Sequence, residues 1–323
     1  MSDINDAILR EIETRAVDYA RGAGKILAEN FGKPVDFEFK DEAQSDPVSV
    51  VDKATQEYIY SRITKDFPGH GLVGEEDEPA ASDSAPNSRD PAPNTAAPDF
   101  VWCIDPLDGT KNYLSGLPLH SSSIGVLYKG RSVAGAIYTP WPGKPDGVVF
   151  HARKGGGAFV DDEPIHVYSE PKPDNSRIVV MPTWFPRRYE MPELTGEHRN
   201  LGSTAFDLAA TAKGVLQYAV MGRPYIWDMA AGLVIVEEAG GVAMVPGPPD
   251  HRNARSPEET TWIPFESFFT ARGGGTTENL RAWRSTVILG NPSIVRYITR
   301  NLRRRRVPWR ERLSYTARWI MRG

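Results

Sequence analysis

At roughly 150 residues per domain, the 323-residue chain suffices for one large domain or two modest ones. Its 40% hydrophobic and 25% charged residues match a soluble globular chain and exclude a disordered tail protein, a collagen-like chain and a multi-span membrane protein. The net charge of −4 divides unevenly: residues 296–323 hold ten arginines against Glu311, a charge of +9, so the remainder carries −13. No run of 18 apolar residues occurs, and Met1-Ser2-Asp3-Ile4-Asn5-Asp6 lacks the basic-then-apolar pattern of a secretory signal. The single cysteine, Cys103, permits no intrachain disulfide, so we expect a reduced, cytoplasmic protein in which Cys103 is a buried structural residue.

In chain order, Ile4, Ile8, Ile12, Ala16, Ala20, Ala23 and Leu27 recur every three or four residues and predict a long first helix, ended by Gly32 and Pro34. Val48, Val50 and Val51 form a short apolar stretch running into Asp52. A second helix follows, with Ala54, Tyr58, Ile59, Arg62 and Ile63 on a helical period ahead of Pro68-Gly69. Asp52 then stands at a helix N-terminus, where a carboxylate caps backbone N–H groups. Residues 77–99, with five prolines and no apolar period, read as a mobile surface loop. Strands are predicted at 100–104, 121–128 and 132–138, the last two joined as a hairpin at Lys129-Gly130-Arg131, with shorter strands over 151–167 around Gly155-Gly156-Gly157. Beyond residue 178, strands at 178–181 and 218–221 alternate with helices at 203–213 and 229–239, closed by Gly214 and by Gly240-Gly241. Sheet first and βα later implies two halves, 1–170 and 175–300, packed around a cleft, with a basic tail at 301–323.

The sharpest chemical feature is Asp105-Pro106-Leu107-Asp108-Gly109-Thr110, straight after the apolar run Val101-Trp102-Cys103-Ile104. Two aspartates three residues apart at a strand end, with Pro and Gly forcing a turn, point carboxylates out of the sheet. The bare spacing also suits an ordinary turn. Other carboxylates strengthen the metal reading: Glu75-Glu76 after Leu72-Val73-Gly74, Asp46 and Asp52 about a short strand, and Asp228 at the start of an apolar helix. Such groups repel one another unless cations hold them together, and Mg²⁺ takes oxygen ligands in this way. The N–H groups of Gly109 and Thr110 suit an anion.

Gly74-Glu75-Glu76, Trp102-Cys103-Ile104-Asp105-Pro106-Leu107-Asp108-Gly109-Thr110-Lys111-Asn112-Tyr113 and Trp227-Asp228-Met229-Ala230-Ala231-Gly232 resemble, in this order, motifs of the inositol monophosphatase family. This is the Mg²⁺-dependent, Li⁺-sensitive phosphomonoesterase superfamily that includes fructose-1,6-bisphosphatases. The resemblance spans residues 5–245 and, less clearly, 284–300. It implies a mixed α/β (α+β) chain with the layered αβαβα sugar-phosphatase fold. It also implies a homodimer and two to three Mg²⁺ ions. Glu75, Asp105 and the Leu107 carbonyl would hold one ion, and Asp105, Asp108 and Asp228 the second. A third would share Glu75 through water. Catalytic roles fall to Glu75, Thr110 and Asp52, the last two orienting the attacking water. Asp108, Gly109 and Thr110 would bind phosphate, with Arg199, Gly202, Ser203 and Thr204 on the substrate side. Lys40 is a loose match to the family's lysine near its first loop.

The remaining candidates have structural readings. The six histidines show no zinc spacing, the glycine runs fit turns, and Ser121-Ser122-Ser123 fits a strand. Where inositol-specific members carry a glutamate before a Met-Gly pair, this chain has Val220, with Arg223 nearby to favour a second anionic group. The expected substrate is a small phosphomonoester, first an inositol-1-phosphate-like polyol phosphate, then fructose-1,6-bisphosphate, histidinol phosphate or a 3′-phosphoadenosine nucleotide. A phosphate-binding module without turnover is the alternative of a different class. In the tail, Arg303–Arg306 precede Pro308, and Trp309, Leu313, Thr316 and Ile320 share one helical face among arginines. That pattern suits packing on the acidic body or a sister subunit, with an anionic membrane surface as the alternative for 303–322. No nucleic-acid partner is expected, since no RNA-binding fold or broad basic face accompanies the tail.

Overall fold

Asn5 opens the first helix by accepting the Ala7 N–H at 2.9 Å, and α1 (Asp6–Asn30) follows. The computed structural model describes residues 4–77, 96–190, 196–247, 260–269 and 275–305. Leu9, Ile12, Ala16, Tyr19, Ala20, Ala23 and Leu27 form the buried stripe of α1. The predicted stripe was right from Ile12 onward, but its first turn is rotated: Leu9 is buried while Ile8 faces solvent. β1 (Phe37–Phe39) and β2 (Pro47–Ser49) form an antiparallel ribbon closed by the Lys40 N–H on the Asp46 carbonyl at 2.8 Å.

Ser49, not Asp52, is the N-cap of α2 (Val50–Asp66). Its side chain meets the Val51 and Asp52 N–H groups while Asp52 accepts the Ser49 N–H at 2.8 Å. This reciprocal capping box buries Asp52 inside the first turn. β3 (Gly71–Gly74) runs parallel to β4 (Phe100–Asp108). α3 (Thr110–Leu114) is followed by β5 (Ser121–Tyr128), β6 (Arg131–Trp141), β7 (Lys144–Arg153), β8 (Gly157–Val160) and β9 (Glu163–Pro164), completing a seven-stranded sheet in sequential order.

The second half holds β10 (Ile178–Val180), α4 (Phe185–Arg188), β11 (Tyr189–Glu190), β12 (Glu197–Arg199), α5 (Thr204–Ala212), β13 (Tyr218–Gly222) and α6 (Ile226–Glu238). After these come β14 (Val242–Pro246), β15 (Trp262–Pro264), α7 (Thr277–Arg281), β16 (Thr286–Gly290), α8 (Pro292–Asn301) and β17 (Arg303–Arg304). Its sheet is six-stranded, ordered β12-β10-β13-β16-β14-β15. α1 and α2 cover one face of the larger sheet, α5 and α6 fill the space between the sheets, and α8 covers the far face of the smaller one. The interleaving is the expected layered α/β arrangement. α6 lies so close on the larger sheet that a Cβ at Gly125 would come within 2.5 Å of Ala230.

Three expectations change. The Asp105–Asp108 segment is not a turn beyond the strand but the end of β4 itself. Asp105 pairs with Ser123 and Asp108 with Ser121, leaving one extra residue as a bulge. Residue 77 and residues 96–99 are fixed by hydrogen bonds and pairing, while 78–95 of the predicted loop lie outside the described residues. At the other end, Arg303–Arg304, assigned to the 301–323 tail in the sequence, pair with Tyr189–Glu190 as a strand of the second half; residues 306–323 lie outside the described residues. Among the described residues no helix is long and apolar enough to cross a membrane.

Candidate active site

The bulge in β4 aims two carboxylates in different ways. Asp105 is buried and takes the Leu107 N–H on Oδ1 at 3.0 Å. Asp108 reaches into the second half, where its Oδ2 accepts the Ser203 hydroxyl at 2.6 Å and the Ala205 N–H at 2.5 Å, so it caps the start of α5. Asp228, in the first turn of α6, accepts the Tyr225 N–H at 2.8 Å. The same device holds Asp52 and Asp228: an aspartate three residues into a helix, tied back to the N–H that precedes it. Glu75 follows β3 directly, its own N–H on the Ile104 carbonyl at 3.0 Å.

These groups meet. Asp105 lies within side-chain hydrogen-bonding reach of both Glu75 and Asp228. Thr110 Oγ1 stands 2.9 Å from the Leu107 carbonyl and 3.1 Å from Asp52 Oδ1, linking the end of β4 to α2. Gly109 makes this connection at φ 88°, and a Cβ there would sit 3.0 Å from the Leu119 carbonyl and 3.1 Å from Ser203. Asn112 Nδ2 donates to Leu119 and Leu201 carbonyls, both at 2.7 Å, and so holds the Gly202-Ser203-Thr204 turn against the metal-loop motif. Arg199 stands apart on the edge strand β12, exposed, with its guanidinium on Glu197 and the His198 carbonyl. Asp46 likewise stays on the exposed ribbon turn.

Electrostatics reflect the crowding. Burial, then the Glu75, Asp108 and Asp228 charges, push Asp105 well above the usual carboxylate range, and burial with the Asp108 and Glu75 charges does the same to Asp228. Burial lifts Asp108 and Asp52 to about 6, against hydrogen bonds that pull each down. Glu76 rises to about 7 through burial and the neighbouring Glu75. Among the described residues, no three acidic or histidine side chains converge closely enough to ligate one ion. They nevertheless present only hard oxygen donors, Asp52 and Asp105 buried and Glu75, Asp108 and Asp228 half-buried, with negative charge in excess of positive. That donor set fits a hard divalent cation.

Lys40 is the residue that sequence reasoning undervalued. Its ammonium bridges Glu75 at 2.9 Å and Glu76 at 2.8 Å. Burial opposes its charge, but the two glutamates win and its pKa rises. Ser49 and Tyr225 were missed outright, although the Ser49-x-x-Asp52 spacing of a capping box was there to find. Val220 is buried in the core cluster that also holds Ile294, Val295 and Ile298 of α8; Gly222 and Arg223 are the exposed residues at that strand end.

The sequence profile of the Inositol monophosphatase family matches residues 8–263. The chain belongs to that family. It is therefore a hydrolase of phosphate monoesters within a Mg²⁺-dependent superfamily acting on small phosphate esters. It is 33% identical over 246 residues to a fructose-1,6-bisphosphatase/inositol-1-monophosphatase of Aquifex aeolicus, covering 71% of this chain and 84% of that one. It is 32% identical over 238 residues to Nus factor SuhB of Pasteurella multocida, covering 70% and 82%. Among solved structures, extragenic suppressor protein suhB from Bartonella henselae superimposes with a TM-score of 0.63 at 26% identity, covering 90% of this chain and 98% of that one.

Proposed function

We propose that this protein hydrolyses an inositol-1-phosphate-like polyol phosphate, with two to three Mg²⁺ ions held by Glu75, Asp105, the Leu107 carbonyl, Asp108 and Asp228. The observation that carries the reading is the group of crowded, largely buried carboxyls, only partly compensated by Lys40, beside the Asp52–Thr110 pair. Mg²⁺, when bound, supplies neutralisation of phosphoryl charge and acidifies water. The chain's own residues do the rest. The single proton of the Thr110 hydroxyl can go to the Leu107 carbonyl or to Asp52 but not both. With its proton on Asp52, the Thr110 oxygen can accept a hydrogen bond from an attacking water; as the water gives its proton to the Thr110 oxygen, the hydroxyl's own proton passes to the Asp52 carboxylate. Gly109 and Thr110 N–H groups receive the phosphate. The Gly202-Ser203-Thr204 turn, fixed through Asp108 and Asn112, forms the sugar side. A polyol ester is favoured by the inositol-1-monophosphatase named among the relatives.

A second reading, a bisphosphate, is favoured by arginines beside Asp228. Arg284 lies 3.0 Å from the ring centre of Tyr225, whose N–H donates to Asp228, and Arg223 and Arg281 stand within electrostatic reach of it. The relative whose name includes fructose-1,6-bisphosphatase fits that reading.

Phosphate release from a panel of monoesters at saturating Mg²⁺ tests both. The panel holds inositol 1-phosphate, fructose 1,6-bisphosphate, histidinol phosphate and 3′-phosphoadenosine 5′-phosphate, with Asp105→Asn as the blank. Turnover that disappears in Asp105→Asn and falls with Li⁺ is expected, greatest on inositol 1-phosphate. A panel no better than the blank, with Mg²⁺-dependent binding of unhydrolysed ester, would overturn catalysis in favour of a binding module.

A further inference from the structure

A short helix of the second half reaches across to the first. Arg281, at the end of α7, donates from Nη1 to the Gly74 carbonyl at 2.8 Å and to Asp77 Oδ2 at 2.9 Å, and from Nη2 to the Asp77 carbonyl at 3.1 Å. The same guanidinium lies over the Trp227 ring, 5.3 Å from its centre. Gly74 precedes Glu75 and Trp227 precedes Asp228. One side chain therefore touches the immediate neighbours of two site carboxylates contributed by opposite halves.

The turn it grips is closely built. Asp77 Oδ1 accepts Gln56 Nε2 at 3.1 Å and the Tyr60 hydroxyl at 2.7 Å, and Oδ2 accepts the Gly74 N–H at 2.7 Å. Gln56 Oε1 in turn accepts the Glu76 N–H at 3.1 Å. A Cβ at Gly74 would fall 2.4 Å from both Gln56 and Tyr60. Just before α7, Thr276 bridges Ala96, and the Gly275 carbonyl accepts the Ala97 N–H at 2.5 Å. Arg284 braces the helix end by donating to the Arg281 carbonyl at 2.8 Å.

We propose that Arg281 is a positioning residue of this site, tying the Glu75 turn to the first turn of α6 and so setting the separation of the carboxylates that the two halves contribute. Its effect on turnover rests on the phosphatase reading; the tie itself does not. The planar fork meets a carbonyl, a carboxylate and an indole face at once, which an ammonium cannot do.

Hydrogen exchange of the full chain, without Mg²⁺ or ester, tests the tie in Arg281→Met, Arg281→Lys and Asp77→Asn. Arg281→Met keeps a stem on Trp227 but removes the fork. Amides over 72–77 and 225–229 are expected to exchange faster together, with Arg281→Lys recovering only part of the protection. Calorimetry should then find Mg²⁺ affinity reduced by about 10- to 100-fold, the range for residues that orient ligands, and kcat reduced more than KM is raised. Asp77→Asn, which attacks the tie from the other half, serves if Arg281→Met does not fold and should loosen the same two segments. Faster exchange confined to α7, or to 72–77 with 225–229 unchanged, would overturn the proposal. A wild-type chain that turns over no ester would count against the phosphatase reading alone, because exchange is read without substrate.

Discussion

Two buried ionic clusters in this molecule are built on opposite principles. Between α1 and β7, Glu13 accepts His151 Nδ1 at 2.8 Å on one oxygen and Arg153 Nη1 at 3.2 Å on the other. Arg153 also reaches Asp6 at 3.1 Å, and Arg21 reaches Asp161 at 3.1 Å. Each acid there has a base. At the candidate active site, Asp52, Glu75, Glu76, Asp105, Asp108 and Asp228 outnumber the positive charges near them, the Lys40 ammonium on Glu75 and Glu76 and the Arg284 guanidinium within electrostatic reach of Asp228. Burial alone does not distinguish the two, since each mixes buried charges with solvent-exposed ones. Balance does. A cluster neutral in itself holds elements together, whereas a buried excess of carboxylate is stable only when something from outside supplies positive charge.

The largest expected effect separates the clusters by activity. Asp105→Asn should lower kcat/KM on the best ester by at least on the order of 10³-fold, as for loss of a preorganised electrostatic group. Its thermal midpoint without Mg²⁺ should hold or rise, because one of several mutually repelling groups is gone. Glu13→Ala should do the reverse. It strands Arg153 and His151 in the protein, at a loss of about 3 kcal/mol of stability, while kcat below the melting range stays unchanged. Denaturant unfolding and initial rates on the same samples check both. If Asp105→Asn proved strongly destabilising without Mg²⁺, the site would be a balanced structural cluster after all.

Mg²⁺ sharpens the contrast at a smaller scale. At a hundredfold over its dissociation constant, an ion that binds only the folded state adds about 2.7 kcal/mol. Thermal melts should record that gain in the wild type and in Glu13→Ala alike, and little of it in Asp105→Asn. Chelation should reverse it. Equal gains in wild type and Asp105→Asn would place the ion elsewhere.

What could be read from sequence followed the range of the interactions. α1 carries a clean period and α5 a local serine cap, and both were legible to within two residues, whereas α6, apolar on nearly every face, starts three residues before its predicted start. The first strands of the larger sheet were legible too. The early part of β7 was not, because Lys144-Pro145-Asp146-Gly147 is polar and punctuated; it becomes strand by pairing with β6. α7 is too short to carry a period, and β14, β15 and β16 are defined by partners distant in sequence. In the site, the motif segments were legible because each sets its own geometry within a few residues. Lys40 meets Glu75 across 35 positions and Arg281 meets Asp77 across 204, so neither contact leaves a local trace. Arg199 shows the converse: near the substrate-side turn in sequence, it is turned away along an edge strand.

The smallest effect lies in the balanced cluster and concerns its proton. His151 Nε2 is 2.7 Å from the Asp161 carbonyl, which can only accept, and Nδ1 faces the Glu13 carboxylate. Both ring nitrogens therefore carry protons when both contacts form. Burial opposes that charge, as does Arg21, but the bonds to Glu13 and Asp161 prevail and the His151 pKa is raised. Arg153 stands on the other Glu13 oxygen, and Phe159 stacks on the ring at 5.5 Å. A raised histidine pKa means that the folded state holds the proton more tightly than the unfolded chain does. The stabilisation is complete below the unfolded value of about 6.5 and is lost as pH climbs through the folded value. His151→Gln should therefore be less stable than wild type by about 1 kcal/mol near pH 6, with the gap closing toward pH 8.5 in urea unfolding series. Parallel stability curves for the two proteins over that range would mean that the ring is neutral in the fold and that the α1–β7 cluster keeps a net negative charge, which would erase the difference from the active site on which the comparison rests.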